Sequence, residues 1–481
     1  MRVDPERVTG RMAERYLGVT LDWQKVGDGV WPVDVHELAN PVLRRLMSEL
    51  GPSVLRVGGT DANAGFFCIT EADCNPTPTY TETFTDPDKE PKVFTGEDVV
   101  ALVDFAREVD ATIVFTLNLG PGPRDPETGA FVGDNVRTFL EFVAALAGGE
   151  QFTTWEAGNE VNVIFNEYKM PVPLQPKLYV EDLVTLRGMI DDTLPGTELV
   201  GPASFFLPLA RSGDLRFTKR TLRKVEDGVL DGVSWHLYAA QSPRCSPAVS
   251  PFPASRDALF DPDQIALNRA FARQVSSVAG DLPVINSETA SVQCGGQFGI
   301  SDTMLDALWW TNWIGTMVED GTSTILRQTL VGREYAIVDQ ELVVPHPTFL
   351  VSVLHRRHAD RAHLATRVDA EEVFAHAYCT RSRNDAVTVT VSNPNPTATE
   401  TEIAVKGRRV TAAAQWTVAA ELTATEATIN GVVPGADGSI PDEPGERVRM
   451  RGRTAHVEVP ANGVVVVVAE LNGKAKGCAP T

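Results

Sequence analysis

Phe152-Thr153-Thr154-Trp155-Glu156-Ala157-Gly158-Asn159-Glu160 opens on aromatic and β-branched residues without a helical period and closes on Asn-Glu. Such a run predicts a strand over 152–155 that delivers a carboxylate, Glu160, where the strand gives way to a loop. Pro283-Val284-Ile285-Asn286-Ser287-Glu288 repeats the arrangement, with a strand over 282–286 ahead of Glu288. Working outward, similar short runs lie at 16–21, 54–57, 112–117, 199–202, 232–237 and 323–328. Helical patterns separate them. Val136, Phe139, Leu140 and Val143 recur at i, i+3, i+4 and i+7, and Leu305, Leu308, Trp309, Trp313 and Met317 follow the same period from a start near Ser301 and Asp302. Eight alternating strand and helix units predict a parallel sheet closed into a (β/α)8 barrel over 16–344.

The texture changes after Pro345. Short strands at 386–392, 403–405, 413–418, 446–450, 456–459 and 464–469, parted by Gly, Pro and Asn turns, predict a helix-free β-sandwich domain over 345–481. Residues 1–15 form an N-terminal segment that can pair with it. The fold class is therefore α/β, a (β/α)8 TIM barrel with an appended β-sandwich.

The 481 residues carry 43 Lys+Arg and 64 Asp+Glu, a formal charge of −21. Residues 345–481 hold 15 of each sign, so the whole excess belongs to residues 1–344. A polyanion would meet net repulsion, which speaks against nucleic acid and anionic membrane as partners. No apolar run reaches the roughly 18 residues of a membrane span. Arg2-Val3-Asp4 after Met1 is not the start of an export leader, so either the chain is not exported or a leader has been removed. Cys68, Cys74, Cys245, Cys294, Cys379 and Cys478 form no CxxC pair; three disulfides and six buried thiols both fit the count, with Cys68 and Cys74 a plausible local staple.

In a parallel barrel the reacting groups sit at the carboxyl ends of the strands, where Glu160 and Glu288 fall. Either glutamate alone would be an ordinary helix N-terminal residue. Together they suit glycoside hydrolysis, which needs one carboxylic acid to protonate the leaving oxygen and a second carboxylate to attack the anomeric carbon; Asn159 would donate to the sugar 2-hydroxyl. Serine-hydrolase, zincin and P-loop motifs are absent. His355, His358 and His363 lie among Arg356, Arg357 and Arg361, which opposes a metal site and predicts a solvated basic face.

With these segments in view, the chain resembles the heparanase-like β-glucuronidases, a family of retaining glycoside hydrolases. The resemblance rests on Tyr16 through Asp22, Leu55-Arg56-Val57-Gly58-Gly59-Thr60, Trp155 through Glu160, Ser234-Trp235-His236-Leu237-Tyr238, Ser287 through Ser291 with Gly295-Gly296 and Ser301-Asp302-Thr303, and Arg327-Gln328 with Tyr335 and Val338-Asp339. It implies Glu160 as acid/base and Glu288 as nucleophile. It implies Gly295, Gly296 and Tyr335 around a glucuronate carboxylate, Asp22 and Thr60 on sugar hydroxyls, and Tyr238 beside the nucleophile. His236 reads equally as a hydrogen-bonded core residue. The resemblance joins Cys379 to Cys478 and sets Cys245 and Cys294 in loops on one barrel face, which implies an exported or periplasmic protein whose leader is missing from the sequence. No metal and no cofactor are implied, and a monomer is expected. The partner is a glucuronic-acid-containing polysaccharide, oligosaccharide or glycoside. Two alternatives stand beside exo-acting hydrolysis: endo cleavage of heparan sulfate, and a non-catalytic glycan-binding barrel. Arg447, Arg449, Arg451 and Arg453 alternate at strand period and read as a solubilising sheet surface.

Overall fold

The computed structural model describes residues 1–22, 38–84, 89–206, 215–245, 253–368 and 373–478. Eight parallel strands close into a barrel in the order Leu17–Asp22, Ser53–Gly58, Ala111–Leu117, Phe152–Ala157, Glu198–Phe206, Gly232–Leu237, Val284–Thr289 and Thr324–Arg327, the last pairing with the first. These are the eight runs read from the sequence, with ends that shift by up to four residues, outward at half of them and inward at four. They were legible because both faces are buried, one in the barrel interior and one under helices, which selects short continuous apolar runs.

Beyond the barrel lies a mainly antiparallel sheet of eleven strands among the described residues, with one parallel pairing, between Arg2–Arg11 and Thr399–Val405. It curls onto itself: Arg447 pairs with Ala414 toward one end of the sheet, and Arg449–Arg451 pair with Thr454–His456 at the other. The strand Gly463–Leu471 shows why its valines run without interruption. Val465, Val467 and Ala469 face the core of the curled sheet, whereas Val464 and Val466 pack into the barrel's apolar core. The strand Arg2–Arg11 enters this sheet between Ala359–Arg367 and Thr399–Val405.

Three details depart from the sequence reading. The helix Met304–Glu319 starts from an N-cap at Thr303, two residues beyond Ser301, and it is buried all round because it lies between barrel and sheet. A helix, Pro347–His358, interrupts the stretch after Pro345 that was expected to hold strands alone. Its proline at the first turn is a start signal that the β-branched residues behind it masked. The basic face is not solvated either. His355, Arg356 and His363 are buried, with the Arg356 guanidinium 4.9 Å from the Tyr16 ring centre and donating to the Pro52 carbonyl. Packing of this helix between barrel and sheet overrides the polarity of its last turn. Arg447, Arg449, Arg451 and Arg453 are exposed, as a solubilising stripe would be. No helix among the described residues is long and apolar enough to cross a membrane.

Candidate active site

The turn after Phe152–Ala157 is built to present Glu160. Gly158 sits at φ 77° and Glu160 itself at φ 48°, a left-handed conformation uncommon for a residue with a side chain. The Glu160 N-H donates to the Ala203 carbonyl at 3.0 Å, from the neighbouring strand, and this holds the turn. Asn159 is pinned by a reciprocal pair: its N-H donates to Asn63 Oδ1 at 2.9 Å, and Asn63 Nδ2 donates to the Asn159 carbonyl at 2.7 Å.

Beneath these residues lies Arg56, fully buried on Ser53–Gly58. Its Nε donates to Glu156 Oε2 at 2.8 Å, its Nη1 to Glu288 Oε2 at 2.9 Å and its Nη2 to Asn159 Oδ1 at 2.8 Å. One guanidinium thus fixes two carboxylates and the amide that precedes Glu160, using its planar fork of donors. Burial pushes the Glu156 carboxyl up, but Arg56 and the other polar groups around it together hold it below the usual value; Thr116 Oγ1 donates to the same oxygen at 2.9 Å. The sequence reading assigned no role to Arg56 or Glu156. The signal was present, since a charge inside an apolar barrel strand has to find a partner.

The histidine left ambiguous by the sequence is placed between the two glutamates. His236 Nδ1 lies 3.0 Å from Glu160 Oε1 and 3.8 Å from Glu288 Oε2, and its Nε2 lies 3.4 Å from Arg56 Nη2. A guanidinium only donates, so Nε2 accepts, and Nδ1 carries the proton and donates to Glu160. Burial, reinforced by Arg56, holds the imidazole neutral with a pKa well below the ordinary histidine value. The Glu160 carboxyl is pushed well above the ordinary glutamate value by burial, then by the charges of Glu288 and Glu167. Glu288 Oε1 accepts from the Tyr238 hydroxyl at 2.6 Å. Ligand-type atoms of Glu160, His236 and Glu288 lie within 4.8 Å of one another. That spacing alone could suit a cation, but the proton on His236 Nδ1 and the fixed charge of Arg56 oppose one.

Asp22, Thr60, Glu160, Tyr238, Glu288 and Tyr335 share the walls of a cavity of about 390 Å³, together with Gly295. Asn159 and His236 are buried behind the two glutamates rather than lining it. Tyr335 donates to Asp22 Oδ2 at 3.2 Å, and Gln328 Nε2 donates to both groups. Burial and the charge of Glu288 push the Asp22 carboxyl up to about 6. Gln328 was quoted in the sequence motif and given no role.

Gly295 and Gly296 lie at φ 86° and 82°, and a Cβ on Gly296 would stand 2.6 Å from the Tyr335 backbone nitrogen. Glycine is required there for both reasons. Gly296 does not line the cavity; its carbonyl accepts from Arg244 Nη2 at 2.6 Å, and Arg244 in turn pairs with Glu334. The Cys245–Cys294 disulfide ties this turn to the loop carrying Arg244. Cys68–Cys74 and Cys379–Cys478 are also joined, leaving no free cysteine.

No family model matches the chain. Among curated proteins it is similar to heparanase-like protein 2 of Arabidopsis thaliana, 23% identical over 294 residues that make up 58% of this chain and 50% of that protein. The chain thus spans about half the length of this relative. It is similar to baicalin-β-D-glucuronidase of Scutellaria baicalensis at 22% identity over 416 residues, 79% of this chain and 74% of that one. Its fold matches a 4-O-α-L-rhamnosyl-β-D-glucuronidase from Fusarium oxysporum with a TM-score of 0.69 at 13% identity, covering 97% of this chain and 100% of the other. Barrel, appended sheet and relatives together define a glycoside hydrolase. Within that class the chain is similar to the heparanase-like proteins and β-glucuronidases.

Proposed function

We propose that the chain is a retaining β-D-glucuronidase. The observation that carries this reading is the approach of Glu160 and Glu288 to within 4.8 Å across the cavity, with one carboxyl held protonated. That distance is nearer the roughly 5–5.5 Å of retaining enzymes than the 6.5–9.5 Å that leaves room for an attacking water. In the first step a Glu288 carboxylate oxygen attacks the anomeric carbon as Glu160 gives its proton to the glycosidic oxygen, and the carbon–oxygen bond to the leaving group breaks. The ester formed on Glu288 removes one of the charges that, with burial, kept Glu160 protonated. Glu160 then takes a proton from water, water attacks the anomeric carbon, and Glu288 leaves as a carboxylate. His236, donating through Nδ1, occupies Oε1 of Glu160 and leaves the other oxygen to carry the transferable proton.

Glucuronate as the sugar is supported by the left-handed Gly295 turn and Tyr335 at the cavity wall, and by relatives named baicalin-β-D-glucuronidase and hyaluronoglucuronidase. Asp22 and Thr60 then receive sugar hydroxyls, and Asn159, its Oδ1 held by Arg56, offers its amide nitrogen to the 2-hydroxyl from behind the glutamates. Three disulfides support work in an oxidising, extracellular or periplasmic compartment. The test is to size the products from a labelled oligosaccharide bearing both terminal and internal glucuronic acid. Release of free glucuronate is expected. Shortened internal fragments would favour the endo, heparanase-type reading, and an untouched substrate would leave only a glycan-binding barrel.

A further inference from the structure

Three loops meet at one side of the cavity, and one side chain joins them. Arg244 follows the strand Gly232–Leu237, the turn Cys294-Gly295-Gly296 follows Val284–Thr289, and Glu334 follows Thr324–Arg327. Arg244 Nε donates to the Cys294 carbonyl at 3.1 Å, and Nη2 donates to the Gly296 carbonyl at 2.6 Å. Nη1 and Nη2 also donate to Glu334 Oε1 and Oε2, each at 2.6 Å, which makes a bidentate pair. Four of the five guanidinium N-H groups are thus committed to the wall of the cavity, and Glu334 balances the charge. Arg244 is built in as a strap. The Glu334 N-H adds a bond of its own, to the Gly295 carbonyl at 3.0 Å.

A trans peptide points its C=O and N-H in opposite directions. With the Cys294 carbonyl held by Arg244 and the Gly295 carbonyl by Glu334, the N-H groups of Gly295 and Gly296 are turned away from their holders, and neither donates to another described group. Two adjacent amide donors of this kind suit an anion. The Cys245–Cys294 disulfide keeps its two Cα atoms 5.6 Å apart, but a link between side chains does not fix which way the peptide planes face. Both glycines sit at positive φ, where a backbone without Cβ turns most freely. Their orientation therefore falls to the strap.

Resting on the glucuronidase reading, we propose that Arg244 and Glu334 are positioning residues that aim the Gly295 and Gly296 amides at the sugar carboxylate, and so set the preference for a uronate over a neutral sugar of the same shape.

The test compares kcat/KM for an aryl β-glucuronide and for its uronamide, which keeps the size of the carboxylate and loses its charge. The wild-type protein is expected to favour the glucuronide. Arg244→Lys keeps the cation but not the planar fork, and it is expected to cut that preference about tenfold, through a higher KM for the glucuronide. Glu334→Gln is expected to cut it by less, and its sign separates two mechanisms. Groups acting only through their charge would favour the anionic substrate more strongly once the Glu334 carboxylate is gone. Should Arg244→Lys fail to fold, Glu334→Gln is read in its place. A preference kept in full by either variant, lost through kcat alone, or raised by Glu334→Gln overturns the inference and leaves the glucuronidase reading intact. A wild-type protein that cleaves neither substrate, or both equally well, overturns both.

Discussion

Two buried polar networks in this molecule solve the same problem in opposite ways. Under the cavity, Arg56 is a permanent cation among Glu156 and Glu288, with neutral His236 and Asn159 completing its bonds. At the seam between barrel and sheet, Thr9 Oγ1 lies 2.6 Å from His363 Nδ1, His363 Nε2 lies 3.1 Å from His376 Nδ1, and His376 Nε2 lies 3.0 Å from Asn312 Oδ1. Each link there uses one donor and one acceptor, and the chain carries no charge. Gly315 makes room for it, since a Cβ would stand 2.0 Å from His376 Cγ. Burial, with the charge of Arg269 adding and Asp320 opposing, lowers His363 to about 4, and His376 falls well below the ordinary value. The lesson is that buried charge is kept where protons must move, and neutrality where two parts of the fold need only cohere.

The largest expected break falls in the first network. Glu288→Gln keeps the shape of the side chain but not the nucleophile, and kcat on an aryl β-glucuronide should drop on the order of 10⁴-fold with an unchanged circular dichroism spectrum. Arg56→Met should lower kcat about 10²- to 10³-fold and, by leaving Glu156 and Glu288 unpaired, shift urea unfolding by about 3–5 kcal/mol. If the variant were as active and stable as the parent, the charged network would not organise the site. The alkaline limb of kcat/KM should report Glu160 and lie above the ordinary glutamate value, because activity needs its proton.

The second network is sharpened by acid. A histidine held neutral at about 4 in the fold and titrating near 6.5 when unfolded takes up its proton first in the unfolded chain, so stability falls as pH drops through that window. The loss from His363 is on the order of 3 kcal/mol. Asp22, raised to about 6, has the opposite slope across much of the same range, so the readout is a difference. His363→Asn should lose less stability than the parent between pH 6.5 and 4, and parallel curves would contradict a neutral imidazole relay. The smallest effect is Thr9→Val, which strips one donor from His363 and should cost about 1 kcal/mol in urea unfolding at neutral pH.

The barrel strands and both glutamates were legible because each depends on local pattern: a short apolar run and the residue at its end. What escaped depends on partners far away in sequence. Arg56 reaches residues 100 and 232 positions on, and nothing near Leu55 or Val57 announces that. Gln328 joins Asp22 from 306 positions away. Glu167 lies just past a motif that was read to its end at Glu160. His355 and His363 looked solvated because their arginine neighbours are polar, whereas the sheet that covers them includes the strand Arg2–Arg11 from the other end of the chain. The helix Pro347–His358 was hidden by Val351 and Val353, where tertiary packing outweighs propensity.

The central claim is that Glu160 and Glu288 work as acid/base and nucleophile in a double displacement. Proton NMR of the first sugar released from an aryl β-glucuronide tests it directly. The account predicts β-glucuronate appearing first and the α-anomer growing in only by mutarotation. α-Glucuronate as the initial product would mean that water attacks in a single inverting step, and that Glu288 never carries the sugar.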